Sequence, residues 1–170
     1  MIDLSKKKIL ITGSHGFLGK YLVDNLLEKR KVPKENLFLP TIEALDLRKW
    51  ENCQKAVKNQ DMVIHLAAKV GGIGLNKEKP GELFYDNAIM GIQLLEAGRQ
   101  AGLEKFVTIG TICAYPKFAP IPFKEESLWS GYPEETNAPY GLAKKMLFVQ
   151  SQAYRNQYNL NSIFLLPTNL

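Results

Sequence analysis

The chain has 170 residues, 45% of them hydrophobic and 23% charged, with a formal net charge of +5. That length suits one domain with a sizeable core and is too short for two, and the composition excludes a disordered or low-complexity chain. No apolar run approaches the roughly 20 residues of a membrane span, the start Met1–Lys8 has no signal-type apolar segment, and the positive residues are scattered without interleaved aromatics, so a cytoplasmic protein without a nucleic-acid or membrane partner is expected.

Lys8–Thr12 is a short β-rich run that feeds Gly13-Ser14-His15-Gly16-Phe17-Leu18-Gly19. Phe17, Leu18, Tyr21, Leu22, Asn25 and Leu26 then recur at helical spacing, so the glycines open a helix. A pyrophosphate needs backbone N–H donors at close range and the positive end of a helix dipole, and side chains would block that approach. Leu37–Leu39 reads as the second strand and Met62–Leu66 as the third, with His65 inside it as a structural, hydrogen-bonded histidine. A helix is expected over about Gly81–Ala101, with Pro80 near its start and Gly102 past its end. Phe106–Ile109 is the fourth strand. Four prolines then punctuate an irregular loop between Ala114 and Asn137, ahead of a helix over about Pro139–Tyr158 and a fifth strand over Ser162–Leu166. Strands alternating with helices predict a doubly wound parallel sheet of Rossmann type, with helices on both faces and residues 1–170 forming one NAD(P)-binding domain. Cys53 and Cys113, the only cysteines, are too few for a disulfide framework and are not spaced as metal ligands, so reduced thiols and no metal site are expected.

A second constellation concerns protons. A tyrosine with an ordinary pKa of about 10 is a poor acid–base group at neutral pH, but a lysine four residues later shares its helix face and lowers that pKa electrostatically. Tyr140 and Lys144 have this spacing, and Thr111, just past the fourth strand, adds a hydroxyl able to hydrogen-bond a substrate carbonyl.

The spacing G-x-x-G-x-x-G is the form associated with short-chain dehydrogenases/reductases. With Lys69-Val70-Gly71-Gly72-Ile73, Gly110-Thr111-Ile112-Cys113-Ala114-Tyr115-Pro116-Lys117, Glu135–Tyr140 and Pro167-Thr168-Asn169-Leu170, the chain resembles the GDP-L-fucose synthases, extended members of that superfamily, along essentially its whole length. The resemblance implies an NADPH-dependent 3,5-epimerase and 4-reductase acting on a GDP-4-keto-6-deoxyhexose. It gives Thr111 the role of polarising the ketone, Tyr140 that of proton donor, Lys144 that of holding the nicotinamide ribose, and Cys113 that of the epimerising thiol. Cofactor contacts are expected from the glycine loop (Gly13, Ser14, His15, Gly16, Phe17, Leu18, Gly19), Ile42, Asp46, Leu47, Ala67, Ala68, Lys69, Ile109, Gly110, Thr111, Tyr140, Lys144 and Pro167–Leu170. It further implies a missing C-terminal substrate domain, the chain being the N-terminal part of a longer enzyme, and a homodimer through the two long helices. His15 and Ile42 stand where the family places arginines on the 2′-phosphate, so NADP is expected from the resemblance, while Glu43 is close enough to leave NAD open. Two other readings stay open: a different NAD-dependent sugar-nucleotide epimerase or dehydratase, and a dinucleotide-binding module without catalysis.

Overall fold

A computed structural model describes residues 2–168. Its strands are β1 (Ile9–Thr12), β2 (Leu37–Phe38), β3 (Met62–His65), β4 (Lys105–Ile109) and β5 (Ser162–Leu165), all parallel, in the order β2-β1-β3-β4-β5. The helices are α1 (Phe17–Asp24), α2 (Trp50–Val57), α3 (Ile73–Glu78), α4 (Pro80–Gln100) and α5 (Ala138–Tyr158). The expected strands and the two long helices are present within a residue or two, and the second strand is a residue shorter than its apolar run. Among the described residues no helix is long and apolar enough to cross a membrane.

The continuous apolar run of β1 has a simple cause, because a parallel strand covered on both faces has no polar side to offer. Leu10 packs with Val63, Phe106, Leu94, Leu95, Cys53 and Val57 on the face covered by α2 and α4. Its neighbours Ile9 and Ile11 point the opposite way, onto Leu26, Val32 and Met62 beside α1. β1 therefore sits between β2, reached through α1, and β3, reached through α2, and the winding reverses there. At such a switch point the loops leaving the carboxyl ends of neighbouring strands diverge and open a crevice.

Helix termini fit their residues. α4 begins on Pro80, whose fixed φ and missing N–H suit the first turn. α5 is started by Glu134, whose carboxylate accepts from the amides of Thr136 and Asn137 at 3.1 and 3.0 Å, and it ends on Asn159 in the left-handed conformation. Gly91 lets α5 approach α4, since a Cβ there would meet the Leu147 side chain. His65 is fully buried, with Nδ1 2.8 Å from the Thr12 hydroxyl. Burial first, and the Lys144 charge second, push its pKa down to about 3, so it is a neutral strand residue that ties β3 to β1.

Candidate active site

The crevice at the carboxyl edge of β1, β3 and β4 has a volume of about 860 Å³. Its walls come from segments far apart in sequence: the glycine loop, the turn after β2, residues 66–70, Ile109 and Gly110, and Tyr140 and Lys144 of α5.

Each loop glycine has a different reason to lack a side chain. Gly13 has φ +70, in the left-handed region, and a Cβ there would lie 2.8 Å from the Ala67 amide nitrogen. Gly19 lies in the first turn of α1, where a Cβ would come within 2.6 Å of Ser14 Cα. Gly16 meets nothing closer than its own loop's Gly13 carbonyl, at 3.3 Å, so packing does not require it; its bareness keeps the crevice side of the turn open. It is the N-cap of α1 and makes no side-chain cap hydrogen bond, which leaves the first amides of that helix directed at the crevice. Such a turn can accept an anion, and these residues fit a dinucleotide pyrophosphate.

On the other side, Gly141 brings α5 against the turn after β4: a Cβ there would lie 2.7 Å from the Cys113 carbonyl carbon. That close approach sets Tyr140 beside the Thr111–Ala114 segment. Thr111 opens this 3-10 turn, its hydroxyl oxygen accepting from the Cys113 amide at 3.2 Å, so one lone pair is used and its O–H is left to donate elsewhere. Burial raises the pKa of the Tyr140 phenol above 10; the nearby Cys113 adds to this, and the Thr111 hydroxyl acts weakly the other way. The expected lowering by Lys144 is not what this geometry produces. The Lys144 amine is turned toward the Ala67 carbonyl, 3.3 Å away, and burial pushes its own pKa down to about 8.

That buried amine has a cost with a definite pH dependence. Its folded pKa of about 8 lies below the unfolded 10.5, so the unfolded chain binds more protons between those values and stability rises with pH across that window. Below pH 8 the full penalty of burying the charge is present. Lys144→Met should therefore stabilise the free chain at pH 7, by about 3 kcal/mol, with the gain fading toward pH 10.5. Denaturant melts of both chains across this range check it, and a Lys144→Met chain less stable at pH 7 would contradict the assignment.

Of the residues expected at the cofactor, Gly13, His15, Gly16, Phe17, Leu18, Gly19, Ile42, Leu47, Ala67, Ala68, Lys69, Ile109, Gly110, Tyr140 and Lys144 line the crevice. Ser14 is buried beneath the turn, its hydroxyl 3.1 Å from His15 Nδ1. Asp46 turns onto Arg48, and Thr111 and Cys113 stand on the turn next to Tyr140 without lining the cavity itself. Pro167 and Thr168 are also not among its walls, and Asn169 and Leu170 lie outside the described residues.

Sequence reading missed a charged strap. Asp86, on α4 and buried, holds Lys69 Nζ at 2.8 Å and Arg48 Nη1 at 3.4 Å. Arg48 also grips Asp46, at 2.8 Å, and Lys69 grips Glu82, at 2.8 Å. The Asn87 side-chain amide pairs with the Lys69 backbone in both directions, at 2.9 Å each way, fixing the segment after β3. Position 87 carried a signal, an Asn on a core-facing helix. The Arg48–Asp86 contact spans 38 residues and has no sequence periodicity to reveal it.

A parallel sheet with a glycine turn at its switch point and a crevice outside the strand ends defines the Rossmann-type class of folds. Residues 9–170 match the NAD dependent epimerase/dehydratase family, and the chain belongs to that family. It is 36% identical, over 100% of its length and 54% of the relative's, to a GDP-L-fucose synthase of Sinorhizobium fredii. It is 30% identical to a GDP-mannose 3,5-epimerase of Arabidopsis thaliana, covering 81% of this chain and 40% of that one. Among solved structures, a GDP-mannoheptose C4 reductase from Campylobacter jejuni with NADP bound superposes with a TM-score of 0.91 at 29% identity, over 97% of this chain and 48% of that one. The chain spans about half the length of the curated relatives it matches.

Proposed function

We propose that the chain forms the cofactor-binding and proton-transfer half of an NADP-dependent GDP-sugar epimerase/reductase of the GDP-L-fucose synthase type, with residues 1–170 as its Rossmann-type domain. The observation that carries this reading is the crevice itself. One cavity brings the bare turn at the α1 N-terminus together with Tyr140 and Lys144, while Thr111 and Cys113 stand on the adjoining turn. The NADP held by the Campylobacter reductase and the names of the relatives support the cofactor and the substrate class.

When bound, the nicotinamide supplies the hydride for ketone reduction. The chain's own residues do the rest. On this reading the first amides of α1 would hold the pyrophosphate, and Lys144 would meet the ribose hydroxyls beside the nicotinamide. The Thr111 O–H donates to the substrate ketone oxygen, and Tyr140 delivers its phenolic proton to that same oxygen as the alcohol forms. A proton on a carbon next to the ketone is acidic because its removal spreads charge onto that oxygen. Cys113, half-buried on the same turn, takes that proton, and a second acid delivers another to the opposite face of the carbon. That second acid and the groups that read the GDP belong to the remainder of the enzyme. Exposed Tyr85, Met146 and Val149 on α4 and α5 are the surface of the proposed homodimer.

In enzyme turning over a GDP-4-keto-6-deoxyhexose in D₂O, Cys113→Ser should lower deuterium incorporation at the sugar carbons at least about a hundred-fold, the lower end of general acid–base contributions, and leave NADP⁺ affinity unchanged. Undiminished incorporation would remove Cys113 from the mechanism.

A further inference from the structure

Lys144 is only 2% exposed, and its amine has the Ala67 carbonyl as its hydrogen-bond partner among the described residues, at 3.3 Å. Where that carbonyl stands therefore decides where the amine stands. The segment that carries it is anchored on either side. The Ala67 amide donates to the Thr12 hydroxyl oxygen at 3.2 Å, and the Asn87 side chain grips the Lys69 backbone. Thr12 is in turn held by His65, whose Nδ1 lies 2.8 Å from its hydroxyl.

Counting protons decides the direction of that last contact. The Thr12 oxygen already accepts from Ala67 and the imidazole is neutral, so fewest groups are left unpaired when the Thr12 O–H donates to a bare Nδ1 and the ring proton sits on Nε2. The other tautomer would aim two N–H groups at one hydroxyl and strand the hydroxyl's own proton. Nε2 has no partner among the described residues. A fully buried ring nitrogen without a partner is costly, and an apolar side chain would fill this place in the core without that cost. What the imidazole supplies that an apolar residue does not is the acceptor for Thr12.

We infer that His65 is a positioning residue of the active site: through the Thr12 hydroxyl and the Ala67 backbone it fixes where the Lys144 amine stands in the crevice. The contacts run from His65 to Thr12, from Thr12 to Ala67 and from Ala67 to Lys144, at 2.8, 3.2 and 3.3 Å. Without the imidazole the Thr12 O–H must turn to another acceptor, its oxygen swings away from the Ala67 amide, and the segment after β3 keeps only its Asn87 anchor. The hydrogen bond from a charged amine is strong only in good geometry, so a carbonyl that wanders no longer holds Lys144 in one place. The inference rests on the proposed function for its purpose, since that reading puts this amine at the nicotinamide ribose, and goes beyond it by assigning the residue that places the amine.

The test is a proton–nitrogen NMR spectrum of the lysine ammonium groups of the chain at about pH 6, where the Lys144 amine, with its pKa of about 8, is protonated. Its signal is the one missing from Lys144→Met. Expected is a Lys144 ammonium that exchanges with water at least about ten-fold more slowly than those of exposed lysines, and a loss of that protection in His65→Leu, the size of one charge-assisted hydrogen bond. His65→Asn, whose side-chain oxygen takes the place of Nδ1 and accepts from Thr12, should restore protection to within about three-fold. Thr12→Val leaves the ring in place and should repeat the loss, which keeps the test open if His65→Leu does not fold. Calorimetric titration then separates positioning from general support of the fold. His65→Leu should weaken NADP⁺ binding about ten-fold, while 2′,5′-ADP, which lacks the nicotinamide half, binds within about two-fold of wild type. A Lys144 signal that His65→Leu leaves unchanged, or that His65→Asn does not restore, would overturn the inference. So would equal weakening of NADP⁺ and 2′,5′-ADP, the mark of a ring that only supports the core. A wild-type chain that binds neither nucleotide, with the ammonium signals as expected, would overturn the dinucleotide reading and leave the placing of Lys144 by His65 standing.

Discussion

Tyr140→Phe should lower the rate of ketone reduction by about a thousand-fold, within the range for loss of a positioned general acid, while changing NADP⁺ affinity by less than about three-fold. The separation follows from where the phenol sits. Its ring lines the crevice beside Lys144, and its hydroxyl is next to Thr111 and Cys113, so removing one oxygen deletes the proposed proton source without disturbing the turn proposed to hold the pyrophosphate. The direction of its pKa adds a second expectation. Because burial and the neighbouring Cys113 raise it above 10, the phenol keeps its proton through neutrality, as the proposed acid of the reducing direction must. The rate of reduction should stay level from pH 6 to 9 with respect to this group and fall only beyond its ordinary value of 10. A Tyr140→Phe enzyme with near wild-type reduction would remove the phenol from the chemistry.

Gly19→Ala should cost both fold stability and cofactor. The added methyl would stand 2.6 Å from Ser14 Cα and closer still to the Gly13 carbonyl, against backbone that cannot rotate away. The turn must move off α1, which costs about 1–3 kcal/mol of stability as overpacking does. It also carries the pyrophosphate cradle with it, for a fall in dinucleotide affinity of at least about a hundred-fold, equal to the loss of two good charge-assisted hydrogen bonds. Gly16→Ala is the informative contrast. Its methyl has only the Gly13 carbonyl nearby, at 3.3 Å, and otherwise faces the crevice, so stability should hold within about 1 kcal/mol while affinity drops. If both exchanges cost affinity and stability in the same proportion, the turn would be a packing device and not a cradle.

Much of the fold could be read along the chain because it rests on local signals. The apolar run of β1, the glycines that follow it and the proline before α4 each state a conformational need within a few residues. The same holds for Tyr140 and Lys144, whose spacing puts both in the crevice. What the spacing did not convey was how they are solvated. Tyr140 and Lys144 share a face, yet α5 packs so closely on the turn after β4, at Gly141, that burial dominates both pKa values, and the amine's partner is a carbonyl after β3. The Asp46–Arg48–Asp86–Lys69 strap was illegible for a related reason. Its members come from three separate segments, and each alone looks like an ordinary solvated charge. Asp46 was expected against the cofactor; the structure turns its carboxylate onto Arg48, which also holds its pKa below the usual carboxylate range.

The account stands most directly on where a dinucleotide lies. A crystal structure of the chain grown with NADP⁺ should show the pyrophosphate within hydrogen-bond distance of the Phe17 and Leu18 amides at the start of α1, the adenosine between His15 and Glu43, and the nicotinamide ribose against Tyr140 and Lys144. Nucleotide density elsewhere on the chain, or a crevice that stays empty at saturating NADP⁺, would contradict it.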